Sequence, residues 1–177
     1  MIAKEKLNIL WSLEQTAEKY ADRVAVSDVN QELTWKELVK KAQVIGAELS
    51  EKVQPGNPVP VLLEKSSETL AVMLGIVYAG CFYVPVNPMN PTERLRKIME
   101  KLDPEVIISD EKGKEQLAAV GNGLENKVMG PEALKTATGT ELSEEQYSRL
   151  EQIQGQWKET DVLSLHPDQQ EHRRQSW

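Results

Sequence analysis

The chain has 177 residues, enough for one domain with a real core. Acids outnumber bases, 28 Asp+Glu against 21 Lys+Arg, and the resulting formal net charge of -7 argues against nucleic acid or an anionic membrane as the main partner. One cysteine rules out a disulfide framework, and no apolar run reaches the ~20 residues that insertion across a membrane requires. The amino terminus mixes acids into its apolar pattern and carries no cleavage site, so it does not read as a signal peptide and the expected setting is cytoplasmic.

In chain order, Leu10, Leu13, Ala17 and Tyr20 recur at helical spacing and give a first amphipathic helix ending before Asp22. Leu7 and Trp11 widen its apolar face at the start. Val24-Ala25-Val26 and Glu32-Leu33-Thr34 flank Asn30-Gln31 and read as a short hairpin. Thr34 with Glu37 forms a capping box, in which each side chain satisfies an orphan amide at a helix start. The helix so opened carries Leu38, Ala42, Ile45 and Leu49 on one stripe, until Pro55-Gly56 ends the segment. Residues 59–63 read as a strand. Trp35, beside a helix start, is better read as packing than as a binding aromatic.

Residues 73–94 are the most informative stretch. Leu70, Met73, Leu74 and Val77 recur at helical spacing, with Ala71, Val72 and Ile76 on the other faces, and a helix apolar nearly all round is a buried one. Ser66 or Ser67 can cap its start, and Gly80 supplies the backbone freedom to leave it. Phe82-Tyr83-Val84-Pro85-Val86 follows as a short strand in which Pro85 forbids helix. Asn90-Pro91-Thr92-Glu93 then signals a helix start, with Asn90 as cap and Pro91 at the first position. Leu95, Ile98, Met99 and Leu102 form that helix's stripe, Asp103-Pro104 stops it, and Val106-Ile107-Ile108 is the next strand. Strands separated by helix-length crossovers imply a parallel-rich α/β sheet flanked by helices. Beyond Asp110 the pattern gives a helix over 114–120, a turn at Gly121-Asn122-Gly123 and a strand at 127–129. A helical turn over 131–135, a connector over 136–140 and a helix from Leu142 carrying Tyr147, Leu150 and Ile153 complete it.

These residues resemble the adenylate-forming (AMP-forming) ligases, specifically the amino-acid adenylation branch. That branch holds D-alanine–carrier-protein ligases and the adenylation domains of nonribosomal peptide synthetases. Its leucine-x-alanine-glycine, then tyrosine, β-branched residue, proline and aspartate, is matched by Val77-Tyr78-Ala79-Gly80 and Tyr83-Val84-Pro85-Val86-Asn87. The family's downstream proline, acid and arginine fall on Pro91, Glu93 and Arg94, and its earlier leucine-threonine-aromatic-x-glutamate-leucine on residues 33–38. Val77 replaces the usual leucine and Asn87 the aspartate; asparagine still caps a turn. The resemblance implies that residues 1–163 are the amino-terminal part of the large adenylation domain, an incomplete portion of that fold. It also implies, for the full-length family, ATP, Mg2+ and a phosphopantetheinyl carrier protein, with aminoacyl adenylate formation followed by transfer to the carrier thiol. Compact spacing leans slightly toward the D-alanine type.

Adenylation needs a Gly/Ser/Thr-rich loop whose amides and hydroxyls hold phosphates. In the family that loop follows a strand which Thr160-Asp161-Val162-Leu163 resembles in approach; here residues 164–177 form a polar, aperiodic tail instead. Reading each new codon as one old third base plus the next two bases changes the picture. From Leu163 onward the permitted string is isoleucine-phenylalanine-threonine-serine-glycine-serine-threonine-glycine-threonine-proline-lysine, the missing loop. Only the glycine after that lysine is disallowed. The tail is therefore expected to be out of frame, with one nucleotide lost (or two gained) near codon 163 or 164.

No residue of 1–177 is assigned a catalytic, cofactor-binding or metal-ligating role. His166 and His172 lack a metal-site spacing, Glu159 and Asp161 read as solvated charges, and Gly113, Gly121 and Gly123 form no dinucleotide fingerprint. Cys81 reads as a small buried hydrophobe. The chain alone is expected to be inactive in adenylation; the other reading is a non-catalytic α/β binding or docking module.

Overall fold

The structure, a computed structural model, describes residues 9–130 and 141–159, with the side chains of the last helix given as far as Gly155. Helix α1 (Ile9–Lys19) precedes a hairpin of β1 (Val24–Ser27) and β2 (Glu32–Thr34), paired antiparallel. Helix α2 (Trp35–Ser50) leads to β3 (Pro58–Leu62), α3 (Ser67–Tyr78), β4 (Phe82–Pro85), α4 (Thr92–Leu102) and β5 (Ile107–Ser109). Then follow α5 (Glu111–Val120), a 3-10 turn (Leu124–Lys127), β6 (Val128–Met129) and α6 (Glu144–Glu159). The four later strands form one parallel sheet in the order β4-β3-β5-β6.

Strand alternation divides the core in two. On β3, Val59 and Val61 point to the face covered by α2 and α3, as does Ile108 of β5, and all three are fully or nearly fully buried. Leu62 and Ile107 point the other way, against Leu95 and Met99 of α4 and Leu117 and Val120 of α5. A parallel sheet covered on both faces carries few polar residues, and here Pro58, Val59, Pro60, Val61 and Leu62 supply β3 without one.

Local chemistry fixes the element boundaries. The Thr34 amide donates to Glu37 Oε2 at 2.8 Å and the Glu37 amide to Thr34 Oγ1 at 3.3 Å, the reciprocal pair that starts α2. Ser66 caps α3 by accepting from the Thr69 amide at 3.1 Å, and Gly80 leaves that helix at φ +74°. The stripe of α2, Leu38, Ala42, Ile45 and Leu49, is wholly buried. It crosses α3 at Gly46 and Gly75, where the backbones meet so closely that a Cβ on Gly75 would lie 2.5 Å from Ile45 Cγ2 and 3.0 Å from the Ala42 carbonyl oxygen. Trp35 packs against this cluster and Cys81 is buried.

Several boundaries differ from the sequence pattern. The cap of α4 is Pro91, without a side-chain hydrogen bond, because Asn90 is drawn into a turn in which its amide donates to the Asn87 carbonyl. Asn87 keeps the turn-capping role: its Oδ1 accepts from the Met89 amide at 2.9 Å. Helix α5 starts at Glu111 rather than near 114, since Asp110 Oδ1 takes the Gly113 amide at 2.8 Å. Strand β5 begins at Ile107, and Lys127 belongs to the 3-10 turn. Helix α3 is less enclosed than its composition implies, with Leu70 38% exposed. Leu7, the turn over 131–135, the connector over 136–140 and the tail over 164–177 lie outside the described residues.

Candidate functional site

Open α/β sheets bind ligands beyond the carboxyl ends of their strands, where the crossover direction reverses. Here β3 leads through α3 to β4 on one side, and β5 leads through α5 to β6 on the other. The reversal therefore lies between β3 and β5. Two helices begin at its rim on opposite faces of the sheet, α3 after Glu64-Lys65-Ser66 and α5 after Asp110. A helix amino terminus offers free amides and a positive dipole end, the usual seat of a phosphate.

Both seats are filled by this chain's own carboxylates. Asp28, in the β1–β2 turn, accepts the Ser67 amide and the Ser67 hydroxyl through Oδ2, each at 2.7 Å, and the Asn30 amide through Oδ1 at 2.7 Å. The Ser67 amide is the largest cause that holds the Asp28 carboxyl well below the usual carboxylate range, with the Ser67 hydroxyl next. Gln31 adds hydrogen bonds from Nε2 to Ser67 Oγ and Glu68 Oε1, at 2.9 and 2.7 Å, while Lys41 pairs with Glu68. At α5 the capping carboxylate is Asp110, followed by Glu111 in the first turn. Between the two helices Ser109 is buried, its hydroxyl donating to the Leu62 carbonyl at 3.3 Å. Glycine is required next to it: a Cβ on Gly113 would lie 2.1 Å from Ser109 Oγ.

These described residues do not fit ATP phosphates or the cation that accompanies them. A triphosphate brought to α3 or α5 meets a carboxylate already on the amides it needs. No group of three or more His, Cys, Asp or Glu among the described residues is placed to hold a metal ion, and none of their helices is long and apolar enough to cross a membrane. The sequence singled out neither Asp28 nor Gln31. Their partner, Ser67, is nearly forty residues away (|i−j| = 39), and only the Asp-x-Asn turn chemistry at residues 28–30 hinted that Asp28 would order a loop.

The two recognised sequence motifs fall on elements of this same fold. Residues 33–38 supply β2 and the capped start of α2, and residues 77–87 supply the end of α3, strand β4 and the Asn87 turn. Residues 13–173 match the AMP-binding enzyme family. The chain belongs to that family. Among curated relatives, it is 37% identical to bacitracin synthase 1 of Bacillus licheniformis over 107 residues, 60% of this chain and 2% of that protein. It is 32% identical to tyrocidine synthase 1 of Brevibacillus parabrevis over 122 residues, 68% of this chain and 11% of that one. Of solved structures, VinN in complex with L-aspartate superimposes with a TM-score of 0.66 at 27% identity, covering 72% of this chain and 33% of VinN. The chain thus spans only a small part of the length of these curated relatives and a third of VinN. Membership fixes the fold as the amino-terminal α/β part of an adenylate-forming enzyme.

Proposed function

We propose that this chain is the amino-terminal portion of an ATP-dependent ligase that activates an amino acid as its adenylate and passes it to a carrier-protein thiol. The observation that supports this most is the family match over residues 13–173 together with the two motifs in their order. The curated relatives are peptide synthetases, which favours a peptide-synthetase-type domain over the D-alanine type. ATP and Mg2+ belong to the complete enzyme. Its phosphate loop, which stabilises charge on the departing phosphate, has no counterpart among the described residues, whose own carboxylates occupy the sheet's helix termini. By this reading the chain alone does not adenylate.

The reading includes a frame change near codon 163 or 164. Sequencing the gene from codon 160 onward tests it. A shifted frame that encodes serine-glycine-serine-threonine-glycine and stays open is the expected result. A shifted frame that closes at once makes the tail genuine and a docking module the better account.

A further inference from the structure

Gly121-Asn122-Gly123 links α5 to the 3-10 turn, away from the crevice, and holds the chain's one asparagine followed by glycine. Asn122 is exposed. All three residues hold a positive φ, at +88°, +62° and +70°. Few side chains tolerate that region, and asparagine is among those that do. The loop has room around it. Among the described residues no atom lies within 4 Å of a Cβ built on Gly121, and the nearest to one on Gly123 is Asn126 Nδ2 at 3.5 Å. On either side the chain is held: the Gly121 amide donates to the Ala118 carbonyl at 3.2 Å, and Leu124 is buried in the α4/α5 core.

We propose that Asn122 is a site of spontaneous covalent modification, its side-chain amide converting through a cyclic imide to isoaspartate and aspartate. The Gly123 main-chain nitrogen gives its proton to solvent base and attacks Asn122 Cγ. An N–Cγ bond forms, the Cγ–Nδ2 bond breaks, and the side-chain amide leaves as ammonia. Water, the co-reactant, then adds to either imide carbonyl. Opening at Cγ leaves aspartate; opening at the main-chain carbonyl leaves isoaspartate, and neither step changes an oxidation state. Glycine favours the attack because it lacks a Cβ beside the nitrogen and its backbone turns freely. The other asparagines are worse placed. Asn57, Asn87 and Asn90 precede proline, which has no N–H to give up. Asn30 precedes Gln31, whose amide donates to Asp28 Oδ1 at 3.1 Å. Asn8 and Asn126 precede Ile9 and Lys127, whose Cβ atoms hinder their own nitrogens. The product lowers the formal net charge of -7 by one and adds a carboxylate just past the end of α5, where the helix dipole disfavours it. Isoaspartate also lengthens the main chain two residues before buried Leu124. Nothing in this assignment depends on adenylation, so it stands or falls separately from the proposed activity.

Incubation of the full chain in heavy-oxygen water near neutral pH, followed by charge separation and peptide mapping by mass spectrometry, tests it. The expected result is an acidic species that accumulates with time, with one heavy oxygen in the peptide holding Asn122 and isoaspartate in the larger share. Asn122→Gln keeps an uncharged amide on a longer side chain and abolishes that species, whereas Asn126→Gln leaves it. The same chain unfolded in guanidinium chloride is the reference for access. An open loop predicts that the folded chain converts nearly as fast. Conversion spread over the other asparagines overturns the proposal. So does a folded chain more than about tenfold slower than the unfolded one, the protection given by a segment that must first open. Both of these readouts use the unsubstituted chain, so they hold whether or not a variant folds.

Discussion

Replacing Gly75 by alanine tests how the α2/α3 layer is built. The added methyl would lie 2.5 and 2.7 Å from Cγ2 and Cβ of Ile45 and 3.0 Å from the Ala42 carbonyl oxygen. Two of those atoms belong to a β-branched side chain and one to helix backbone, so none can swing aside cheaply. Overpacking of this kind costs about 1–3 kcal/mol, and the rigidity of the neighbours places it at the upper end. Alanine regains about 1 kcal/mol of helix propensity over glycine. The net is a loss of about 2 kcal/mol, or roughly 6 °C in Tm for a chain of this size. Gly155→Ala supplies the contrast, because no atom of the described residues lies within 4 Å of its Cβ position. There the propensity acts alone and stability rises by about 0.5–1 kcal/mol. Both are read by urea and thermal denaturation. If Gly75→Ala also stabilises, the close crossing of α2 and α3 is wrong.

Further outcomes follow from the core, the caps and the titrating groups. Ile107→Ala empties a fully buried position between β5 and α4/α5, with an expected loss of about 2–5 kcal/mol in chemical denaturation. Thr34→Ala removes the capping-box hydroxyl and is expected to cost about 1 kcal/mol in the same assay. The Asp28 carboxyl is depressed in the folded chain, so its contribution is present above the unfolded carboxylate pKa and fades as pH falls below it. Asp28→Asn should flatten that acid limb of the stability–pH curve, and an unchanged limb would count against the Asp28–Ser67 contact. Burial pushes the Cys81 thiol up to about 11, and a thiol reagent at neutral pH should therefore label it only as fast as the chain opens.

Where local chemistry decides, the sequence was readable. Thr34 and Glu37 announce α2 because a capping box involves residues three apart. The buried stripe of α2 follows from apolar spacing alone, and Gly80 leaves α3 with the positive φ its position suggested. Boundaries slipped where two local signals competed. Asn90 could cap α4 or close the Asn87 turn, and the turn takes it. Asp110 opens α5 one turn earlier than the apolar pattern alone, since Glu111, Lys112 and Gly113 carry no helical stripe. What depends on distant pairing was not legible. The Asp28 clamp on Ser67 and the sheet order β4-β3-β5-β6 join residues tens of positions apart. Trp11 shows the same limit: periodicity puts it beside the core face, and packing leaves it exposed.

Amino-acid-dependent ATP–pyrophosphate exchange, measured on this chain and on the product of its gene with the frame restored after codon 163, tests the central claim most directly. Exchange above background by the restored enzyme, with none from the 177-residue chain, is the predicted result. Exchange by the 177-residue chain itself would contradict it, because its helix termini at the sheet's carboxyl edge already hold Asp28 and Asp110.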